Sequence, residues 1–459
     1  MKIKIFSRVN THKKISSQSS FPNIKYIRKA ITGLALLGAS FISHADSIGN
    51  QGGFFSNNIS GSSEVVRATG NATVLLQQAI DRASQKQGGG VVILRGDDIT
   101  LGQIEMKSNV RLEIQSGATL KMASRVLFNL GRNGLGPRNP RLRNVEITST
   151  GQGRFTIDVN KSQIFQNAIP VRVGYVRNFA LSNFNIDDNY TIFPSIFMVA
   201  DSDDRRVPNN LTYSRVPEKG VVQNITATNV ATGYALIQLF SGKRMLLRDL
   251  DATGGLTIRL EPGSGRPSDF LNQAGPRVGN IEDIRMENIH NREGMAAIFL
   301  KPHEKICTGI FGRNITATDS AFAILTNSSD SNSFTRGTFE QTAFSSPIRL
   351  TQTNDLALAD IGASSQYFVV PSERIGRTRI ADFPRDPSGR RWHTKPIAPV
   401  LLASSLNAND AGPREKGRFN ITINGVPTTR GNLESNTKIL YRENAIRLNG
   451  SEATQWIER

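Results

Sequence analysis

The sequence predicts an all-β protein, a right-handed parallel β-helix (solenoid) with an N-terminal capping helix. Three observations carry that expectation. Helix signals are scarce beyond one short segment, short apolar strands follow one another without hairpin turns, and two of those strands align without a gap at an offset of 21 residues. Such an offset falls within the roughly 20–45 residues of a solenoid repeat, in which each coil buries its apolar face only against its neighbours. A propeller or sandwich would need antiparallel hairpins with Asn-Gly type turns at regular spacing, and few are present.

The 459-residue chain opens on a stretch that reads as an address. Lys2, Lys4, Arg8, Lys13, Lys14, Lys25, Arg28 and Lys29 come with no acid, and the apolar run from Ile31 to Ile42 is too short to span a bilayer. Ser43 and Ala45 place small residues where a signal peptidase reads, so cleavage is expected before Asp46, with a signal peptide over 1–45 and the β-helix over 46–459. Losing those eight basic groups takes the formal charge from +18 to +10. A basic surface concentrates anionic polymers around it. For a secreted or periplasmic protein that polymer is an anionic polysaccharide, not nucleic acid, and no membrane attachment is expected after the leader is removed. Solubility alone would also account for the charge. The single cysteine, Cys307, excludes an internal disulfide, so burial and backbone hydrogen bonds must hold the fold, and a monomer is the default expectation. Cys307 itself reads as a small apolar filler.

Thr73 to Ala83 carries the helix signal, with Leu75 and Ala79, and Leu76 and Ile80, at four-residue spacing behind Asn71 as a cap. This helix can cover the first coil, whose backbone would otherwise lie open. The triple glycine Gly88 to Gly90 ends it, and strands follow at Val91 to Leu94, Val110 to Ile114 and Thr119 to Met122. A theme of Asn or Asp followed by alternating apolar and polar residues then starts at Asn144, Asn178, Asn224, Arg248, Asn280 and Asn314. Loops enlarging a coil are expected near 201–219, 262–277 and 384–399, where Asp, Arg, Pro, Gly or Ser are dense. In the last of these, Arg390, Arg391 and Trp392 are suited to bind sulfate and stack on a sugar ring. A solvated linker with the Trp tucked against the coil fits as well.

Residues two apart on a strand share a face. The two aligned strands, Ala231 to Phe240 and Ala252 to Glu261, put Gln238 and Phe240 on one coil beside Arg259 and Glu261 on the next. The strand beginning at Met295 adds Phe299, Lys301 and His303 to that outward row, with Ile258, Leu260, Ile298 and Leu300 pointing inward. From strand spacing the Cα atoms of Glu261 and His303 should lie about 8 Å apart. That gap would admit a sugar oxygen and a water. A glutamic acid so placed can protonate a glycosidic oxygen; an Arg259–Glu261 surface ion pair would explain the same two residues without function.

These residues resemble the family 82 glycoside hydrolases, the ι-carrageenases. The resemblance is carried by Ala235-Leu-Ile-Gln238, Gly254-Gly-Leu-Thr-Ile-Arg-Leu-Glu261 and Lys301-Pro-His303, and extends more faintly over most of the mature chain. It implies inverting hydrolysis of β-1,4 linkages in a sulfated galactan such as ι-carrageenan. It also implies Glu261 as general acid, Gln238 as an aid in positioning water, sometimes through a bound ion such as Ca²⁺ or Na⁺, and His303 as a substrate or catalytic contact. Arg259, Phe240 and Lys301 would line the groove. One position departs: the family pattern has an aspartate two residues after the glutamate as general base, and this chain has Gly263 there. Asp269, Glu304 and His303 are the candidates to activate water instead.

Other β-helix chemistries fit less well. The three-aspartate cluster with a Gly-His-Gly turn is missing, and Asp201, Asp203 and Asp204 sit beside Arg205 and Arg206, as in solvated ion pairs more than a calcium site. A polysaccharide lyase with Arg or Lys as base is the alternative enzyme. A non-catalytic binder of polyanionic polysaccharide, favoured by Gly263, is the alternative of another class.

Overall fold

The computed structural model describes residues 47–131, 140–159, 167–200, 215–263, 279–303, 305–326, 329–350, 356–360, 367–371, 400–402, 416–433, 439–441 and 445–448. The signal-peptide reading of residues 1–45 therefore falls outside the described residues, as does the segment 384–399. Within them the chain forms a right-handed parallel β-helix: one continuous 24-stranded sheet whose described pairings are all parallel. A separate three-stranded sheet contains the antiparallel pair Leu356–Asp360 and Tyr367–Pro371.

The recurring Asn and Asp residues are corners. Asn109, Asn144, Asn178, Lys219, Arg244, Asp283 and Gly309 stand directly before register-paired residues on successive coils, and all take φ between 53° and 67°. Asn183, Asn224, Asp249, Asn288, Asn314 and Gln341 form a second such column five residues on. Asn tolerates this left-handed backbone better than other side-chain-bearing residues, and it also stacks. Asn144 Nδ2 donates to Asn109 Oδ1 at 2.7 Å, Asn178 to Asn144 at 2.8 Å, Asn224 to Asn183 at 2.7 Å and Asn314 to Asn288 at 2.9 Å. The single theme read from the sequence thus merges two corners: Asn144 and Asn178 belong to the first, Asn224, Asp249 and Asn314 to the second. Asn280 belongs to neither; Asp283 makes that turn, and Asn280 accepts from the Ile306 N–H.

Inside the coils apolar side chains stack in columns. Val145, Phe179, Gly220, Met245, Ile284 and Ile310 are register neighbours. A Cβ added at Gly220 would collide with the Phe179 ring, so the glycine leaves room for it. Phe339 overlies Gly312 in the adjoining column in the same way. Large against small at facing positions is how a close-packed core fills its volume. Cys307 is buried among these residues, and burial pushes its thiol up, as expected of a filler.

The helix α1 spans Thr73–Ser84; its N-cap residue is Ala72, one position after the Asn71 expected, and Asn71 Oδ1 accepts from the Thr73 N–H at 3.1 Å. Leu76, Ala79, Ile80 and Ala83 are buried against the first coils, whereas Leu75, read as part of the apolar face, is 46% exposed. The offset of 21 holds from Ala235, paired with Leu256, through Leu239, paired with Leu260. Before the corner Ala227 pairs with Ala252, so the gapless alignment does not extend back to Ala231; four additional residues in this coil's turn absorb the difference. Coils lengthen where loops were expected, with Met198 paired to Leu239 and Gly242 to Ile281, although residues 201–214 and 264–278 are outside the described set.

The segment Ser47 to Ile59 has no counterpart in the sequence reading. It lies lengthwise across the outside of the coils. Ile59 packs on Val91 and Ile93, Asn58 bonds Asn144, Ser56 exchanges hydrogen bonds of 2.7 Å with the Asn178 side chain, and Phe55, 1% exposed, packs on Ala180, Val221 and Leu246. Glu146 Oε1 accepts from the Ser47 hydroxyl and the Ile48 N–H.

Candidate active site

The outward row expected from alternation is present. Asn129, Arg172, Phe197, Gln238, Arg259, Phe299 and Leu325 are register neighbours on successive coils. Strand pairing continues past the strand ends: Glu261 N donates to Leu239 O, Lys301 N to Leu260 O and His303 N to Pro262 O, each at 2.8 Å. Glu261, Lys301 and His303 therefore stand on backbone fixed by ladder bonds. Ile258, Leu260, Ile298 and Leu300 are fully buried inside, as expected.

Gln238, Glu261 and His303 converge. Glu261 Oε1 accepts from Arg259 Nη2 at 2.6 Å and lies 3.0 Å from His303 Nε2, with Lys301 Nζ at 3.8 Å; Glu261 Oε2 accepts from Gln238 Nε2 at 2.5 Å. The separation estimated from Cα positions suggested a gap for a sugar oxygen and a water. The structure closes it, because both long side chains lean into the space. Nor is the Arg259–Glu261 pair a surface pair: their side chains are 9% and 4% exposed. Arg259 is further fixed by donating to Gly233 O at 2.5 Å and by lying over the Phe299 ring, 5.5 Å from its centroid. Burial pushes the Glu261 carboxyl up, but Arg259, the hydrogen bond from His303 and the charge of Lys301 outweigh it and hold the carboxyl at about 2.

Gly263 is more than a missing carboxylate. Its φ is +82°, and a Cβ added there would overlap the His303 carbonyl oxygen and come within 2.9 Å of Lys305 Cγ. The backbone at 262–263 has left the strand, which ends at Leu260, and is packed against His303 and Lys305. No side chain fits at this position without moving that backbone. Lys305, 3% exposed, went unremarked in the sequence, although it continues the alternation Lys301, His303.

Phe240 is half-buried on the coil before Glu261 and meets Phe197 edge to face at 4.9 Å; Phe197 meets Phe193, which carries Arg125 at 5.5 Å from its centroid. Only Phe240 of these was visible by strand alternation. Asp269, Glu304, Arg390, Arg391 and Trp392, and the acids Asp201, Asp203 and Asp204, lie outside the described residues. Among the described residues no group of three or more His, Cys, Asp or Glu is arranged to hold a metal ion. Among the described residues the site offers one carboxylate amid Arg259 and Lys301, whereas a hard cation such as Ca²⁺ or Na⁺ is held by several oxygen ligands.

An ι-carrageenase of Alteromonas macleodii is 32% identical to this chain over 234 residues, which is 50% of this chain and 43% of that protein. In sequence the chain is ι-carrageenase-like. A second ι-carrageenase, of Zobellia galactanivorans, is 30% identical over 243 residues, 51% of this chain and 45% of that one. The matches thus take in less than half the length of these curated relatives. A solved ι-carrageenase complexed to ι-carrageenan fragments superposes with a TM-score of 0.60 at 17% identity, covering 88% of this chain and 95% of that one, which bears out the fold. No family model matches the chain.

Proposed function

We propose that the protein is an exported glycoside hydrolase that cleaves β-1,4 linkages in a sulfated galactan of the ι-carrageenan type, with its acid chemistry centred on Glu261. The observation that carries this reading is the convergence of Gln238, Arg259, Lys301 and His303 on one carboxylate at the outer face of the coil. The resemblance to ι-carrageenases supplies the substrate class, and the formal charge of +10 left after the leader expected at 1–45 is removed suits a sulfated polymer. Export rests on the leader expected at 1–45. No helix among the described residues is long and apolar enough to cross a membrane.

Inversion, which the resemblance implies, needs a water-activating group about 6.5–9.5 Å across the linkage from the acid. Asp269 and Glu304 are the acids to test by substitution. Release of new reducing ends from ι-carrageenan by wild type but not by Glu261→Gln is the expected result; equal release from both, or none from either, sinks the reading. Gly263 favours a second reading, binding without cleavage, which predicts retention on immobilised ι-carrageenan with no new reducing ends. Ultraviolet-absorbing unsaturated ends would instead indicate a lyase.

A further inference from the structure

The outer segment Ser47 to Ile59 begins on a buried carboxylate that is half satisfied. Arg111 is the register neighbour of Glu146 on the adjoining coil, and Glu113, two residues on, shares that face. Both carboxylates are fully buried. Arg111 Nε donates to Glu113 Oε1 at 2.9 Å, whereas its Nη1 stays 3.9 Å from Glu146 Oε2. Glu146 Oε1 accepts from the Ser47 hydroxyl at 3.2 Å and from the Ile48 N–H at 3.1 Å; its Oε2 has no hydrogen-bond partner among the described residues. Burial pushes the Glu146 carboxyl up by more than the Ile48 N–H, the charge of Arg111 and the Ser47 hydroxyl bring it down, and Glu113 adds to the rise. A cation delivered to Oε2 would offset that burial. The nitrogen of the residue before Ser47 is one peptide unit away, a reach of at most about 3.6 Å. In a chain that keeps its leader that nitrogen is a neutral amide. Cleavage before Asp46, the bond marked by Ser43 and Ala45, turns it into an ammonium with three donors.

We propose that Glu146 is the receptor for the chain's own mature N-terminus: removal of the leader frees the α-ammonium of Asp46, which pairs with Glu146 Oε2 and fastens the outer segment to the coils. The inference rests on the export reading above and on none of the chemistry at Glu261. The group is made by the leader peptidase with water. Water adds to the Ala45 carbonyl carbon, the bond to the Asp46 nitrogen breaks, Ala45 leaves as a carboxylate and the nitrogen becomes the ammonium. Before that step Glu146 is under-compensated and the segment is held by its neutral donors and apolar contacts. After it, a charge-assisted bond joins the first residue of the chain to the coil that carries Glu146. The fold is therefore tightened by processing itself, and the tightening is confined to chains whose leader is gone.

The test compares the mature chain beginning at Asp46, the same chain retaining Ser43 to Ala45, and Glu146→Gln in the chain beginning at Asp46. Acetic anhydride labels free amines, and the extent at the α-amine is read by mass spectrometry against the lysines of the same molecule. The α-amine of the chain beginning at Asp46 should react about tenfold more slowly than in the other two, because the pair keeps it protonated. Chymotryptic cleavage after Phe54 and Phe55 should likewise be about tenfold slower, because the fastened segment opens less often. Equal labelling in the chain beginning at Asp46 and in a folded Glu146→Gln overturns the inference, as does equal cleavage of the Asp46 and extended chains. If Glu146→Gln fails to fold, the extended chain, whose buried residues are unchanged, decides alone. N-terminal sequencing of protein exported from cells that make the whole chain decides the premise separately. A first residue other than Asp46 overturns the leader reading and the inference with it, whereas Asp46 without protection of its amine overturns the inference alone.

Discussion

The outer face at Glu261 and the corner at Asp188 each bury a carboxyl, and they settle its charge in opposite ways. Around Glu261 stand Arg259, Lys301 and His303, and the group is held at about 2. Around Asp188 stand neutral donors: the Thr191 hydroxyl and N–H, both at 3.1 Å, and the Ser195 hydroxyl at 2.7 Å. Burial then prevails over those hydrogen bonds, and Asp188 is pushed up to about 7. Desolvation is the leading influence at both sites, so the neighbours' charge, not depth, sets the direction. A corner built of hydroxyls stores a proton; an outer face built of cations stores an anion.

The sharpest way to break this contrast is Arg259→Met. It leaves Glu261 buried with less compensation and should cost about 3–5 kcal/mol in urea unfolding, most of it recovered in the double variant with Glu261→Gln. A loss below about 1 kcal/mol, the range of an exposed pair, would mean that Arg259 does not hold the anion. Next in size are the opposite pH slopes. The folded value of Asp188, about 7, lies above its ordinary 3.8, so the native state holds the extra proton. Its stabilising contribution is fully present below 3.8 and is lost as pH rises to about 7, by about 1.4 kcal/mol per unit. Glu261 runs the other way: stability present above its ordinary 4.5 is lost as pH falls toward about 2. Asp188→Asn should flatten the first slope and Glu261→Gln the second; variants whose stability profiles run parallel to wild type would contradict the assignment. Gly263→Ala should cost about 1–3 kcal/mol through overpacking, measurable as a lower unfolding midpoint, and Gly263→Asp should add no activity. Smallest is Ser195→Ala, which removes one donor to Asp188 at about 1 kcal/mol and should move the upper end of the Asp188 slope to higher pH.

Much of this was legible in the sequence because alternation and repeat offset report directly on strands and stacking. The helix α1, the inward column at Ile258 and Leu260, and the meeting of Gln238, Glu261 and His303 were all readable from spacing. Depth was not. Nothing in Arg259-Leu-Glu261 distinguishes a surface ion pair from a buried one, because the covering comes from Lys301 and His303, 40 and 42 residues later. The closed gap escaped because Cα spacing says nothing of where long side chains lean. The two Asn corners merged into one theme because both ask for the same left-handed backbone, and only pairing partners separate them. The backbone approach at Gly263 left no mark beyond the glycine itself. Asp188 drew no notice either, since Asp-Asp-Asn at 187–189 reads as an ordinary turn.

The outer segment from Ser47 to Ile59 has a consequence for how the coils come together. A solenoid joined only through adjacent rungs can melt from either end, one rung at a time. Here a single extended stretch near the chain's beginning is fastened to strands as far along as Gly242–Leu260, like a spine bound across stacked pages. Rungs as far apart in the chain as Val91 and Leu246 are thereby tied into one cooperative block, which can close only after the later rungs have formed the surface on which the spine is seated.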